Sequence, residues 1–158
     1  MLSGCDEKTD SSVAKVQLGG KTFLLEIASD ADKRYLGMGK RESVEEDGGM
    51  LFVFPSSENG VKSFVMRDCV IDIDIIYLDG AGRILAMHNM KKEDPRGADE
   101  AADANGLNPK YDARLKKYSS KYPSQFVIEL KGGMLQSLNL KEGDIVKQKW
   151  DELKRVAQ

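Results

Sequence analysis

Three aspartates are the most suggestive chemical group in this chain, because Asp68, Asp72 and Asp74 fall at even spacing. In an extended strand, rising about 3.3 Å per residue with side chains alternating, that spacing sets all three on one face. Neighbouring carboxylates raise one another's pKa or recruit a cation, so the group suggests an acid/base or divalent-ion site with Arg34 as its basic partner. A structural reading competes and weighs more. Asp68 then sits in a turn and Asp74 pairs with Arg34 from a short helix, since a carboxylate facing a β core needs a guanidinium or backbone donors.

The remaining constellations are weaker. His88 is the sole histidine, which makes Cys69 with His88 the dyad to test. If Asp79 pairs with Gly82, His88 lies opposite Ile73; a turn one residue longer sets it opposite Asp74. In the first register Cys69 is on the order of 13 Å away, and neither register makes a hydrogen-bonded dyad. Gly37-Met38-Gly39-Lys40-Arg41 fails as a phosphate loop, because Arg34 stands where the first glycine is required and Arg41 where a Ser or Thr must follow the lysine. It reads better as a helix C-terminus with basic residues complementing the dipole. Asp99, Asp103, Asn105, Asn108 and Asp112 supply oxygens around Gly106, but a calcium loop in that register has Ala101 at its first position and Asp112 instead of Glu at its last. Tyr111, Tyr118 and Tyr122 could stack on sugar rings, a reading that rests on fold analogy. No metal-ligand spacing or catalytic triad emerges, and no cofactor is expected.

These residues must be positioned by short elements. Apolar runs punctuated by glycine pairs predict strands over 13–18, 21–27, 50–54, 62–66, 69–78, 83–90, 125–130 and 145–150. Gly19-Gly20 and residues 79–82 mark hairpin turns. Ser29, with the acid Asp32 three residues on, caps a short helix over 30–38, with Gly39 as its left-handed end and Ala31, Tyr35 and Met38 on its buried side. One helical turn is expected over 134–138. Residues 91–123 form an irregular insertion, too long for an ordinary connection. Cys69 belongs to the apolar side of its strand.

Taken together, Arg34-Tyr35-Leu36-Gly37-Met38, Gly49-Met50-Leu51-Phe52-Val53-Phe54, Ser63-Phe64-Val65-Met66-Arg67-Asp68, the run 71–79 and Val127-Ile128-Glu129-Leu130 resemble the bacterial and archaeal domain-of-unknown-function 192 family. The resemblance covers roughly residues 15–146. It implies a small β-rich domain, often exported, and no known biochemistry. Val65 stands where the family usually has Trp, and Asp68-Cys69 where it usually has Asn-Thr; the stretch 96–117 looks like an insertion.

Leu2-Ser3-Gly4-Cys5 resembles the lipobox of bacterial lipoproteins, in which the cysteine is lipidated after cleavage. It directly precedes a polar run, 6–12, suited to a disordered tether. A signal peptide would need a charged region and 7–15 apolar residues ahead of it, so Met1 is expected to be an internal or replaced residue of a longer precursor.

The chain has 158 residues, 24 basic and 26 acidic, for a net charge of −2. One domain of this size buries roughly 68–70% of its unfolded surface without disulfides. The near-neutral charge gives no general attraction to nucleic acid. The expectation is a single antiparallel β-sandwich or partly open barrel over 13–158, exported to the periplasmic or cell-surface side and touching the membrane only through a lipid on Cys5. Its function is expected to be non-catalytic binding of a small molecule, glycan or envelope protein, with Arg34, Met66, Arg67, Asp68 and Asp74 as the ligand-binding candidates. The alternative is a hydrolase-like enzyme, cation-dependent or not, using Asp68, Asp72 or Asp74 with Arg34.

Overall fold

A computed structural model of the protein describes residues 11–158. The amino-terminal hairpin forms as its pattern requires. β1 (Val13–Leu18) alternates buried and outward residues, and β2 (Lys21–Ala28) returns antiparallel with Leu18 opposite Lys21. Gly19 and Gly20, at φ 56° and 84°, supply the two positive angles of the tight turn between them. Ser12, expected to belong to the tether, joins the hairpin, its carbonyl accepting from Ile27 N at 2.8 Å. Cys5 lies outside the described residues.

A six-stranded sheet runs β1-β2-β3-β8-β5-β6, with β3 at Met50–Val53, β5 at Ile73–Leu78, β6 at Ile84–Met90 and β8 at Phe126–Lys131. β4 (Gly60–Phe64) and β7 (Tyr118–Ser124) make a second, two-stranded sheet. The chain is thus mostly β, in two sheets with no closed barrel. One pair departs from the antiparallel expectation: β2 and β3 are parallel, because the chain crosses over between them through α1 (Ala31–Leu36).

The inner strands β3, β5 and β8 are apolar on both sides, so the large sheet has two buried faces. On the first face Val16, Leu25, Leu51, Ile76 and Ile128 pack beneath α3 (Leu135–Leu138) and α4 (Trp150–Lys154). On the second, Phe52, Ile73, Ile75, Tyr77 and Val127 pack beneath Met38, Met66 and the small sheet. Phe64 of β4 meets Phe52 and Tyr77 edge-on at 5.2 and 5.8 Å, and the Tyr77 hydroxyl donates to Tyr118 O at 2.6 Å.

Several boundaries differ from the sequence expectations. Residues 145–150 contribute only a bridge between Ile145 and Arg83 before α4 begins at Trp150. The end of the irregular insertion is β7, whose Pro123 sits opposite Val61 beside a register shift, where a missing N–H is tolerated. Within the insertion Asn108 caps α2 (Pro109–Arg114), and Pro109 takes the first helical position, where no donor is needed. Asp30, not Ser29, caps α1, accepting from Lys33 N at 2.9 Å, and the helix ends at Gly37, not Gly39. Tyr35 is 63% exposed, and Arg34 turns inward in its place.

Trp150 closes the first face. Its ring lies 4.5 Å from Phe126, and its Nε1 donates to Val146 O at 2.8 Å. Trp150→Ala should lower unfolding stability by ~3–5 kcal/mol, as truncation of a buried aromatic does. A urea titration followed by circular dichroism checks this; an unchanged midpoint would show that the carboxy-terminal helix is not part of the core.

Candidate functional site

β8 carries one acid in an otherwise apolar strand. Phe126, Ile128 and Leu130 point to the first face, so Glu129 shares the second face with Val127. It stands between Met50 of β3 and Ile75 of β5, in the middle of the sheet, and is 6% exposed. The Met38 backbone N–H donates to its carboxyl group, while Oε2 has no hydrogen-bond partner among the described residues. Burial pushes its pKa up to about 7, against the smaller opposing pull of the Met38 N–H and the Arg41 charge.

Gly37 makes this arrangement possible. Its φ of 49° and ψ of −142° belong to a region that side chains oppose. A Cβ there would stand 3.3 Å from the Phe52 ring and 3.7 Å from Glu129 Oε2. Without one, a cleft of about 180 Å³ stays open. The large sheet contributes Phe52, Ile73 and Glu129 to it; the turn after α1 contributes 37–40; β4 contributes Phe64; the β4–β5 connection contributes Arg67, Asp68 and Cys69; the insertion contributes Gly106.

Most charges around this cleft are already engaged. Arg34 Nη1 donates to Ser29 O and Val53 O at 2.8 and 3.0 Å, its Nη2 donates to Gln158 O at 2.6 Å, and the guanidinium lies 5.1 Å over the Phe54 ring. Arg67 donates twice to Asp112 Oδ1, at 3.0 and 2.9 Å. Asp68, at φ 54°, takes two bonds from Arg96 at 2.7 and 3.0 Å, which hold its carboxyl below the usual range. Lys40 and Glu129 are the cleft-lining charges without an ion-pair partner among the described residues.

The three aspartates do not form one site. The chain turns at Met66–Cys69, where Cys69 N donates to Met66 O, and β5 starts only at Ile73, so Asp68 and Asp72 precede the strand. Asp72 accepts from Lys92 N and Lys91 Nζ, which draw its pKa down. Asp74 is fully buried on the opposite face, accepting from Asn89 Nδ2 and from Leu135 N at the start of α3. The expected Arg34–Asp74 pair is therefore absent, each residue being satisfied elsewhere. Of the ligand-binding candidates, Arg34, Arg67 and Asp68 line the cleft, whereas Met66 is core and Asp74 is remote from it.

The dyad fails as well. A shift between Tyr77 and Leu78 places His88 opposite Ile75, matching neither expected register, and its Nε2 lies 2.8 Å from Ser119 O. Cys69 is in the turn, not on a strand. Burial, then the Glu129 and Asp68 charges, push its thiol up to about 12, so it stays protonated. In the insertion, Asp103 accepts from Asn105 N and Leu107 N, while Asp99 and Asp112 pair with Lys110 and Arg67. No group of three or more acidic, His or Cys side chains able to hold a metal ion occurs among the described residues. Tyr111 and Tyr118 are buried and Tyr122 is exposed, so the three make no shared stacking platform.

Sequence reasoning missed Glu129 as a site residue. The available signal was a lone acid inside a strand apolar on both faces, a position that structure alone does not favour.

The raised pKa has a stability consequence of definite sign. Folded Glu129 binds its proton more tightly than unfolded Glu129, so its contribution is present at low pH and is lost as pH rises from the ordinary 4.5 through about 7. Glu129→Gln removes that loss. Its stability relative to the parent should improve by on the order of 3 kcal/mol between about pH 4 and pH 8. Denaturant melts across this range check it, and parallel curves for the two proteins would refute the buried, ionisable Glu129.

Comparisons place this geometry among known proteins. The DUF192 family model, described as an uncharacterized ACR, matches residues 14–148. The UPF0127 protein TK1120 of Thermococcus kodakarensis is 24% identical over 122 residues, which are 77% of this chain and 62% of that protein. The match thus spans less than two thirds of that relative. A crystal structure of a proposed transcription regulator from Sinorhizobium meliloti superposes with a TM-score of 0.64 at 24% identity, covering 86% of this chain and 95% of that one. A protein of unknown function from Novosphingobium aromaticivorans superposes equally, with a TM-score of 0.64 at 20% identity over 86% and 85% of the two chains. Both likenesses concern the fold. With most of its length matched in order, the chain belongs to the DUF192 family.

Proposed function

We propose that the protein is a non-catalytic binding domain that holds a small molecule in the Glu129 cleft and is displayed outside the cytoplasmic membrane by a lipid on Cys5. The observation that carries the binding reading is Glu129 Oε2, buried in the sheet at the cleft lining and without a hydrogen-bond partner among the described residues. An unsatisfied buried carboxyl oxygen costs stability, and a ligand donor restores what folding removed. The enclosed volume, about 180 Å³, is below the ~300–1,000 Å³ typical of drug-sized ligands, so the ligand is compact.

The alternative hydrolase lacks support from the geometry. Its aspartates are spread over separate partners, its arginine is spent on backbone carbonyls, and the nearby thiol is protonated. The exported, lipid-anchored address rests on Leu2-Ser3-Gly4-Cys5 before a polar run. No described helix is long and apolar enough to cross a membrane.

Each half of the reading has a test. Mass spectrometry of the protein made from its full natural gene should show a diacylglyceryl adduct on Cys5, and an unmodified product refutes the anchor. A panel of small metabolites screened by amide NMR should contain compounds that shift Gly37, Met38 and Gly39 together. A panel including amines, carboxylates, amino acids and sugars that moves none of these signals refutes the cleft as a binding site.

A further inference from the structure

Among the described residues, the two cleft-lining charges without an ion-pair partner are opposite in sign and differ in place. Glu129 Oε2 belongs to the buried sheet, while Lys40 lies on the exposed turn after α1. The other lining ions are committed: Arg34 to carbonyls, Arg67 to Asp112, Asp68 to Arg96. Phe52, Phe64 and Ile73 give the same cleft an apolar share of its lining. Resting on the reading of this cleft as a ligand site, we infer that it takes a free α-amino acid with an apolar side chain. The ammonium group donates to Glu129 Oε2, the carboxylate meets Lys40, and the side chain lies along Phe52, Phe64 and Ile73.

A neutral ligand with a single donor would leave Lys40 only its longer-range attraction to Asp68, and a simple carboxylate would bring its charge toward an acid. A bare cation would meet a carboxyl group already facing the Met38 N–H and the Arg41 charge, with no further acid free to help. A zwitterion with a short apolar body answers both charges at once. Lys40 is held at φ 65°, a conformation that costs a side chain energy and fixes where its stem leaves the backbone.

Three related probes separate the contributions: L-leucine, 3-methylbutylamine, which keeps the amine alone, and 4-methylpentanoate, which keeps the carboxylate alone. Amide NMR titrations at pH 8 read binding at Gly37, Met38 and Gly39. Leucine should bind at least tenfold more tightly than the amine, and the carboxylate should not shift these signals. Glu129→Gln, nearly isosteric, should abolish binding of both amines. Lys40→Asn, which tolerates the left-handed backbone, should bring leucine down to the affinity of 3-methylbutylamine while leaving the latter unchanged. If 4-methylpentanoate or another non-amine shifts the cleft signals and leucine does not, the cleft remains a binding site and the amino-acid assignment falls. If leucine affinity survives Glu129→Gln, the assignment falls as well.

Discussion

A carboxyl group on the middle strand of a sheet buried on both faces must find its hydrogen bonds within the protein. In this fold one comes from the backbone and another is left open. The Met38 N–H reaches Glu129 only because Gly37 adopts a backbone conformation closed to other residues, and Gly37 is where α1 must therefore stop. α1 is also the crossover that makes β2 and β3 parallel, so sheet topology and site are set by the same segment. The acid's position between β3 and β5 then decides which side chains can stand beside it.

The insertion acts as a clamp on the other wall. Arg96 and Arg114 stack on Tyr111 at 4.0 and 4.7 Å, and Arg96 donates to Gly106 O as well as to Asp68. Tyr111 in turn accepts the Asp68 N–H, and Arg114 holds Glu100 down to a pKa of about 2. This network fixes the turn that carries Cys69 and Arg67. It also consumes most of the charge near the cleft, which is why an acid of the sheet and a lysine of the turn after α1 can dominate what remains. Such pairs are worth little individually when exposed, but several sharing partners hold a loop in one place.

The elements readable from sequence were those governed by local rules. The β1–β2 hairpin follows from alternation and Gly19-Gly20, α1 from the cap-and-acid pattern at residues 29–32, and β3 from its continuous apolar run. Elements set by distant partners were not readable. β7 looks polar because it pairs only with β4 and carries Pro123, and Trp150 opens a helix because Phe126, far away in sequence, covers its ring. The aspartates misled for a related reason. Even spacing implies a shared face only inside a strand, and the turn at Asp68 ends that premise before β5 begins. Arg34, Arg67 and Asp68 all line the cleft, yet their charges serve its walls. Glu129 was overlooked because a single acid in a strand resembles an edge position until the neighbouring strands are known.

The central claim is that the fold holds a proton-exchanging acid at the cleft, and the pKa of Glu129 itself tests it most directly. Carbon-detected NMR of the Glu129 side-chain carboxyl carbon across the pH range should give a midpoint of about 7. A midpoint near the ordinary 4.5 would mean a solvated carboxylate, and would contradict the account of both the buried acid and the cleft built around it.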